Sequence, residues 1–402
     1  MVNLQEIQIA SARIREKIYL SPCARSETLS NLTSNTVYLK LENLQMTGAF
    51  KERGALNKIL MLTDAERAGG VVAASAGNHA QAVSYHATEH GIHAQIVMPV
   101  TTPLVKVSAT RGFGADVILH GANYDEACEE ALRHCRAEGM TFLHPFDDDA
   151  VIAGQGTLGL ELLQQVPNLE AIVVPIGGGG LIGGLACAVK ETNPIVRIVG
   201  VQTARLPSMQ AAVRENRPVA LAPAITVADG IAVRKVGDRT LPLVSKYVDE
   251  IVTVEEEEIA NAILFLLERE KTLAEGAGAA ALAALLQRKT MLHGAEVVVL
   301  VSGGNIDVTI LARIIERGLV KDGRLVRLRV HLPDYAGALH KLTGILAHHR
   351  ANIVETSYDR AYHGASLGDA VISITLEARG SDHIEEILAA LRMARYTHDR
   401  VM

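Results

Sequence analysis

From Val71 onward, short β-branched runs alternate with amphipathic stretches, and that alternation predicts a parallel sheet flanked by helices. The predicted strands are Val71 to Ala74, Ala94 to Met98, Ala115 to Leu119, Ala171 to Pro175, Val196 to Val201 and Glu296 to Val301. Between them, apolar residues keep a helical period over Asn123 to Glu138, Leu181 to Glu191, Glu255 to Glu270 and Gly276 to Gln287. A further helix is predicted over Lys51 to Leu62, where Ala55, Leu56, Ile59 and Leu60 recur at helical spacing.

The pattern changes after Gly323. Arg324 to Leu332 alternates charge with Leu and Val, Ala338 to His348 has a helical period, and Asn352 to Arg360 and Ala370 to Glu377 read as strands. A second helix over His383 to Met393 and a short strand near Arg400 complete a βαββαβ order, a small split βαβ domain. Lys321, Asp322 and Gly323 form a linker, dividing the chain into residues 1–323 and 324–402.

Composition narrows the class. A chain of 402 residues is too long for one compact core. With 34 Gly and an aromatic fraction of 3%, it suits an α/β protein with tight strand-to-helix turns. A net charge of -6 without basic blocks argues against a nucleic acid partner. No segment approaches the length of a membrane span and MVNLQEIQIA lacks a signal pattern, so no membrane partner and a cytoplasmic location are expected. Cys23, Cys128, Cys135 and Cys187 have no paired spacing, which suits a reducing compartment. Cys128, His134 and Cys135 do not make a metal signature.

The candidate chemistry starts at Lys51, in GAFKERGA. A helix N-terminus and an apolar neighbourhood both disfavour an ammonium, leaving a nucleophilic amine able to form a Schiff base. Three turns after strands then offer ligand contacts. In SAGNH, Ser75 to His79, small residues expose backbone N–H groups and Ser75 and Asn78 add donors, suiting a carboxylate or phenolic oxygen; an ordinary capped turn is the alternative. GGGGL, Gly177 to Leu181, puts several N–H groups at a helix start, as a phosphate dianion requires, although close helix packing also uses glycines. A dinucleotide fits less well, because the run lacks the GxGxxG register and no acidic residue ends VGVQT. In SGGN, Ser302 to Asn305, Ser302 either caps the next helix or donates a hydrogen bond to a ring nitrogen without protonating it.

In this order, the four elements resemble the fold type II pyridoxal-phosphate enzymes, over about residues 10 to 320, with AGQGT at Ala153 to Thr157 and ADG at Ala228 to Gly230 in support. Among these the chain is most similar to the threonine ammonia-lyase (threonine dehydratase) family. The resemblance implies two open twisted α/β domains of tryptophan synthase β type, the smaller, at about 44–150, inserted in the larger. Pyridoxal 5'-phosphate would be attached to Lys51, with Phe50 against its ring. Asn78 would bond the phenolic oxygen, Gly177, Gly178, Gly179, Gly180 and Leu181 the phosphate, and Ser302 would face the pyridine nitrogen. Ser75, Asn78 and His79 would hold the substrate carboxylate. Released Lys51 would take the Cα proton of threonine, with serine a secondary substrate, on the way to 2-oxobutanoate and ammonia.

Related activities remain in view: serine racemase or serine dehydratase, 3-hydroxyaspartate ammonia-lyase, and an inactive amino-acid-binding regulator. Racemases of the family carry a serine where this chain has Ala76, which cannot donate a proton. Some members hold a divalent cation with a glutamate where this chain has Gln202, a poor Mg²⁺ ligand, so no metal is expected there. Glu275 matches an acidic position of the family and also suits helix capping.

The segment from Val326 resembles an ACT domain. In PDYAGAL, Asp334, Gly337 and Leu339 match its ligand turn, Ala336 replaces the usual proline, and Asn352 and Ile353 match the start of the second strand. Isoleucine or valine is the implied effector and a homodimer or homotetramer the implied assembly; a dimerisation module without ligand is the alternative.

Overall fold

The structure, a computed structural model, describes residues 1–360 and 368–401. It divides into two compact units, Met1–Asp307 and Val308–Met402, which groups the amphipathic helix Val308–Lys321 with the C-terminal strands.

The first unit contains two open sheets. The larger runs Cys23–Ser26, Thr36–Leu41, Glu296–Val301, Ala171–Pro175, Arg197–Thr203 and Glu250–Val254, parallel except for its antiparallel first pair. The smaller is wholly parallel and runs Asp116–Leu119, Ala94–Met98, Val71–Ala74 and Thr141–Phe142. Central strands such as Val71–Ala74 and Ala171–Pro175 are buried along their whole length, which is why they lack polar alternation.

All six predicted strands form, with end shifts of one or two residues at Asp116 and at Arg197–Thr203. The strands Cys23–Ser26, Thr36–Leu41 and Glu250–Val254 were not predicted: each is short and interleaves polar with apolar residues. Helix ends follow local capping chemistry. Asn123 accepts from the backbone N–H of Glu126 at the start of Tyr124–Glu138, and Gly139 closes that helix at φ 70°. Asp148 accepts from the N–H groups of Ala150 and Val151 and so starts Asp149–Gln165, which packs across Gly180–Thr192 in the main apolar core.

The second unit has the predicted βαββαβ order: Leu325–Pro333, Ala338–His348, Asn352–Asp359, Asp369–Glu377, Ser381–Met393 and Thr397–Val401, preceded by the helix Val308–Lys321. Its strands pair antiparallel in the spatial order Asn352–Asp359, Asp369–Glu377, Leu325–Pro333, Thr397–Val401. Val326, Leu328, Val330, Ile372, Ile374 and Leu376 form its core with Leu342, Leu346, Ile387 and Leu391 of the helices Ala338–His348 and Ser381–Met393. Among the described residues, no helix is long and apolar enough to cross a membrane.

Candidate active site

Lys51 is the first residue of the helix Lys51–Leu60, and the residues before it are zipped to the turn after the strand Glu296–Val301. Phe50 donates its backbone N–H to the Ser302 carbonyl at 3.1 Å, Gly304 donates to the Gly48 carbonyl at 2.9 Å, and Ala49 bridges Gly303. The Lys51 amine donates to the Pro145 carbonyl at 2.8 Å and stands 5.3 Å from the centre of the Phe50 ring. Burial pushes this amine down to about 8, against the opposing pull of the Glu275 carboxylate. The neutral fraction at pH 7 is therefore raised to about a tenth, from less than a thousandth for an ordinary lysine.

The SAGNH turn joins the strand Val71–Ala74 to the helix Asn78–Glu89. Ser75 Oγ accepts from the Gly77 N–H at 3.3 Å. The first N–H groups of the helix, those of Asn78 and His79 among them, have no intrahelical acceptor and sit at its positive end. The His79 ring is engaged elsewhere. Its Nε2 meets the Leu143 carbonyl at 2.9 Å, and burial pushes its pKa down to about 3, so the ring is neutral with Nε2–H donating. What His79 can offer a carboxylate is its backbone N–H, not an imidazolium. The Asn78 amide donates to Glu275 Oε1 at 2.6 Å and accepts from Asn305 Nδ2 at 2.8 Å.

The glycine run forms a cradle at the start of the helix Gly180–Thr192. Gly179 is its N-cap at φ 97°, a conformation that side chains resist. A Cβ on Gly178 would run into the Phe146 ring, and one on Gly180 would lie 2.8 Å from the Phe146 carbonyl oxygen. Buried Thr240 locks the run by donating to the Gly178 carbonyl at 2.6 Å. The N–H groups of Gly180, Leu181 and Ile182 lack intrahelical acceptors, so the cradle presents donors where side chains are absent, which suits a phosphate. Ser302 is 2% exposed, and its hydroxyl makes one long bond, 3.5 Å, to the Ala277 carbonyl, leaving it able to turn to another acceptor.

One contributing segment had no sequence signal. His144 to Asp147 follows the two-residue strand Thr141–Phe142, too short for any periodicity. It supplies the Pro145 carbonyl to Lys51 and the Phe146 floor of the glycine cradle. His144 Nδ1 accepts from the N–H groups of Phe146 and Asp147 at 3.2 and 2.7 Å, and burial pushes that ring down to about 4. Asn305 was read only as part of SGGN, yet it is the residue that holds Asn78. Gln202 is bonded into the fold, accepting from the Gln210 N–H at 2.9 Å.

In the second unit, Asp334, Gly337 and Leu339 line a cavity of about 800 Å³ together with Tyr335, Tyr358 and Arg360. Arg360 pairs with Asp334 at 3.0 Å, and the Tyr358 hydroxyl donates to the same carboxylate at 3.1 Å. Asn352 and Ile353 are not brought to that cavity. Asn352 donates to Glu377 at 2.8 Å, and Ile353 packs on the core.

The chain matches the family described as "Pyridoxal-phosphate dependent enzyme" over residues 14–303. It is 50% identical over 387 residues to the L-threonine ammonia-lyase of Thermotoga maritima, covering 96% of each chain. Among solved structures it is similar to the processed form of threonine deaminase isoform 2 from Solanum lycopersicum, at 36% identity and a TM-score of 0.75, covering 78% of this chain and 92% of that one. Maize serine racemase has the same TM-score of 0.75 at 34% identity, covering 80% of this chain and 98% of that one. Backbone shape alone therefore does not separate elimination from racemisation.

Proposed function

The chain belongs to the pyridoxal-phosphate dependent enzyme family, and from that premise we propose that it is a lyase that deaminates L-threonine to 2-oxobutanoate and ammonia, with L-serine as a second substrate. The observation that carries the reading is the desolvated Lys51 amine, positioned at a helix start beside the glycine cradle's Pro145–Phe146 floor. Pyridoxal phosphate, when bound, supplies a carbonyl for amines and a conjugated ring that takes up the electrons of a breaking Cα–H bond. Lys51 would hold it, the N–H groups of Gly177 to Leu181 would bind its phosphate, Phe50 would flank its ring, and Asn78 and Ser302 would meet its phenolic oxygen and ring nitrogen.

The chain's own groups bind the substrate and take its Cα proton. The turn from Ser75 to His79 binds the substrate carboxylate with the Ser75 hydroxyl and the backbone N–H groups of Asn78 and His79. Lys51, whose amine burial shifts toward the neutral form, would take the Cα proton onto Nζ. Buried Ser302, being uncharged, would donate a hydrogen bond to the ring nitrogen without protonating it, which would favour restrained chemistry such as β-elimination. Ala76 offers a methyl group where reprotonation from the other face would need a donor, which favours lyase over racemase.

Ammonia release from threonine, serine and 3-hydroxyaspartate, with chiral analysis of residual serine, tests this. Threonine should be turned over most efficiently and residual serine should stay L; accumulation of D-serine faster than ammonia would reverse the assignment.

The same proposal extends to control. Residues 324–402 act as an ACT-type domain on the catalytic residues 1–323. Asp334 and Arg360 offer opposite charges for the ammonium and carboxylate of isoleucine or valine, while Leu339 and Gly337 bound the cavity beside them. Binding there changes activity only if two states of the enzyme hold the effector unequally. A homodimer or homotetramer working in the cytoplasm completes the proposal.

A further inference from the structure

Thr47, Asn305, Asn78 and Glu275 come from four separate segments and form one chain of hydrogen bonds near Lys51. Asn305 Nδ2 donates to the Thr47 carbonyl at 2.7 Å, and because a carbonyl only accepts, this bond decides which end of the amide is nitrogen. The same nitrogen donates to Asn78 Oδ1 at 2.8 Å, so Asn78 must turn its NH₂ to Glu275 Oε1, 2.6 Å away. Glu275 is 5% exposed, and its own backbone N–H is tied to the Gly303 carbonyl at 3.1 Å. A Cβ on Gly303 would lie 2.6 Å from Glu275 Oε1 and 3.1 Å from Asn78 Nδ2, so a glycine is what lets the carboxylate and the amide meet beside the turn.

We infer that Glu275 is a positioning residue which, with Asn305, orients the Asn78 amide so that its second N–H faces the cofactor's phenolic oxygen, and which supplies an anion balancing the charge at Lys51. This rests on the reading of Asn78 as the partner of that oxygen. Asn78 has two amide hydrogens; Glu275 holds one and the other is left for a ligand. With the amide reversed, Oδ1 would confront another oxygen and the contact would repel. Glu275 is faced electrostatically by Asp229, Lys106 and Lys51. Burial and Asp229 push its carboxyl up to about 7, against the Asn78 hydrogen bond and the two lysines, so its charge changes near neutral pH.

The test uses holoenzyme carrying Glu275→Gln, which keeps an acceptor for Asn78 and loses the charge. The pH midpoint of the absorption of cofactor held on Lys51 should move lower, because removing an anion disfavours the protonated nitrogen. kcat should fall about tenfold, with KM for threonine changed less than about twofold. Glu275→Asp should return the midpoint part of the way. A second variant, Asn305→Asp, cannot donate to Thr47 or Asn78, and its cofactor dissociation constant should rise about tenfold with Glu275 intact. A Glu275→Gln enzyme with the parent's midpoint and kcat profile, or an Asn305→Asp enzyme that binds cofactor as tightly as the parent, overturns the inference. Cofactor that never attaches to Lys51 in the parent enzyme would instead overturn the reading of the site, and this role with it.

Discussion

Two cations stand two residues apart on the helix Lys51–Leu60 and have opposite fates. Arg53 is fully buried and fully matched. Its guanidinium grips Glu42 at 2.7 and 2.8 Å and Glu161 at 2.6 and 2.9 Å, while Lys40 binds the same Glu161 at 2.9 Å. Two positive and two negative groups cancel, burial's tendency to raise the Glu42 carboxyl is outweighed by Arg53 and Lys40, and Arg53 stays charged. Lys51 faces the other way, as residues two apart on a helix do. Its hydrogen bond goes to a neutral carbonyl, no carboxylate touches it, and its amine is driven toward neutrality. Burial with paired counter-charges makes structure; burial with only a distant carboxylate makes a reactive group.

The sharpest way to break this comparison is Lys51→Ala. Ammonia release from threonine should fall at least about a thousandfold, and borohydride should no longer fix cofactor to the chain. A variant retaining a tenth of the activity would end the assignment. Next in size, Arg53→Met should lose about 3–5 kcal/mol of stability in denaturant titration, since it strands buried carboxylates. Lys51→Met should instead leave the cofactor-free protein as stable as the parent or more so at pH 7.

The pH dependence separates the two cations further. Lys51 ordinarily titrates at 10.5 and in the folded chain at about 8, so between these values the unfolded chain binds the extra proton and stability of the cofactor-free protein rises with pH. Below about 8 that penalty is fully present. The difference between parent and Lys51→Met in denaturant midpoint should therefore shrink from pH 8 to 10.5; a constant difference would refute the shift. The smallest effect lies in the second unit. Asp334→Ala should weaken isoleucine or valine binding about tenfold by calorimetry, the scale of one charge-assisted hydrogen bond. Undiminished binding would move the effector site elsewhere.

Much of the site was readable because its parts are local. A glycine run at a strand end, a serine turn after VVVLV and a lysine opening an amphipathic helix each declare themselves within five residues. What escaped reading depends on distant partners. Pro145 meets Lys51 across 94 positions, Asn305 meets Asn78 across 227, and Arg53 meets Glu161 across 108. None of these residues has an unusual neighbourhood in the chain. For His79, the resemblance implies a contact with the substrate carboxylate, and the structure leaves its backbone N–H for that while the Leu143 carbonyl claims its ring. In the second unit, PDYAGAL led to the cavity, while Asn352 and Ile353 point to a partner and a core that only the strand pairing reveals.

By itself the sequence determined most of the regular elements and marked the candidate turns, because backbone period, glycine freedom and helix capping act over a few residues. Tertiary structure alone decided which carbonyl the Lys51 amine meets, which histidine is neutral, which way Asn78 points and why Gly303 must lack a side chain. Those properties depend on dielectric and on counter-charges brought from far along the chain, and no local pattern encodes them.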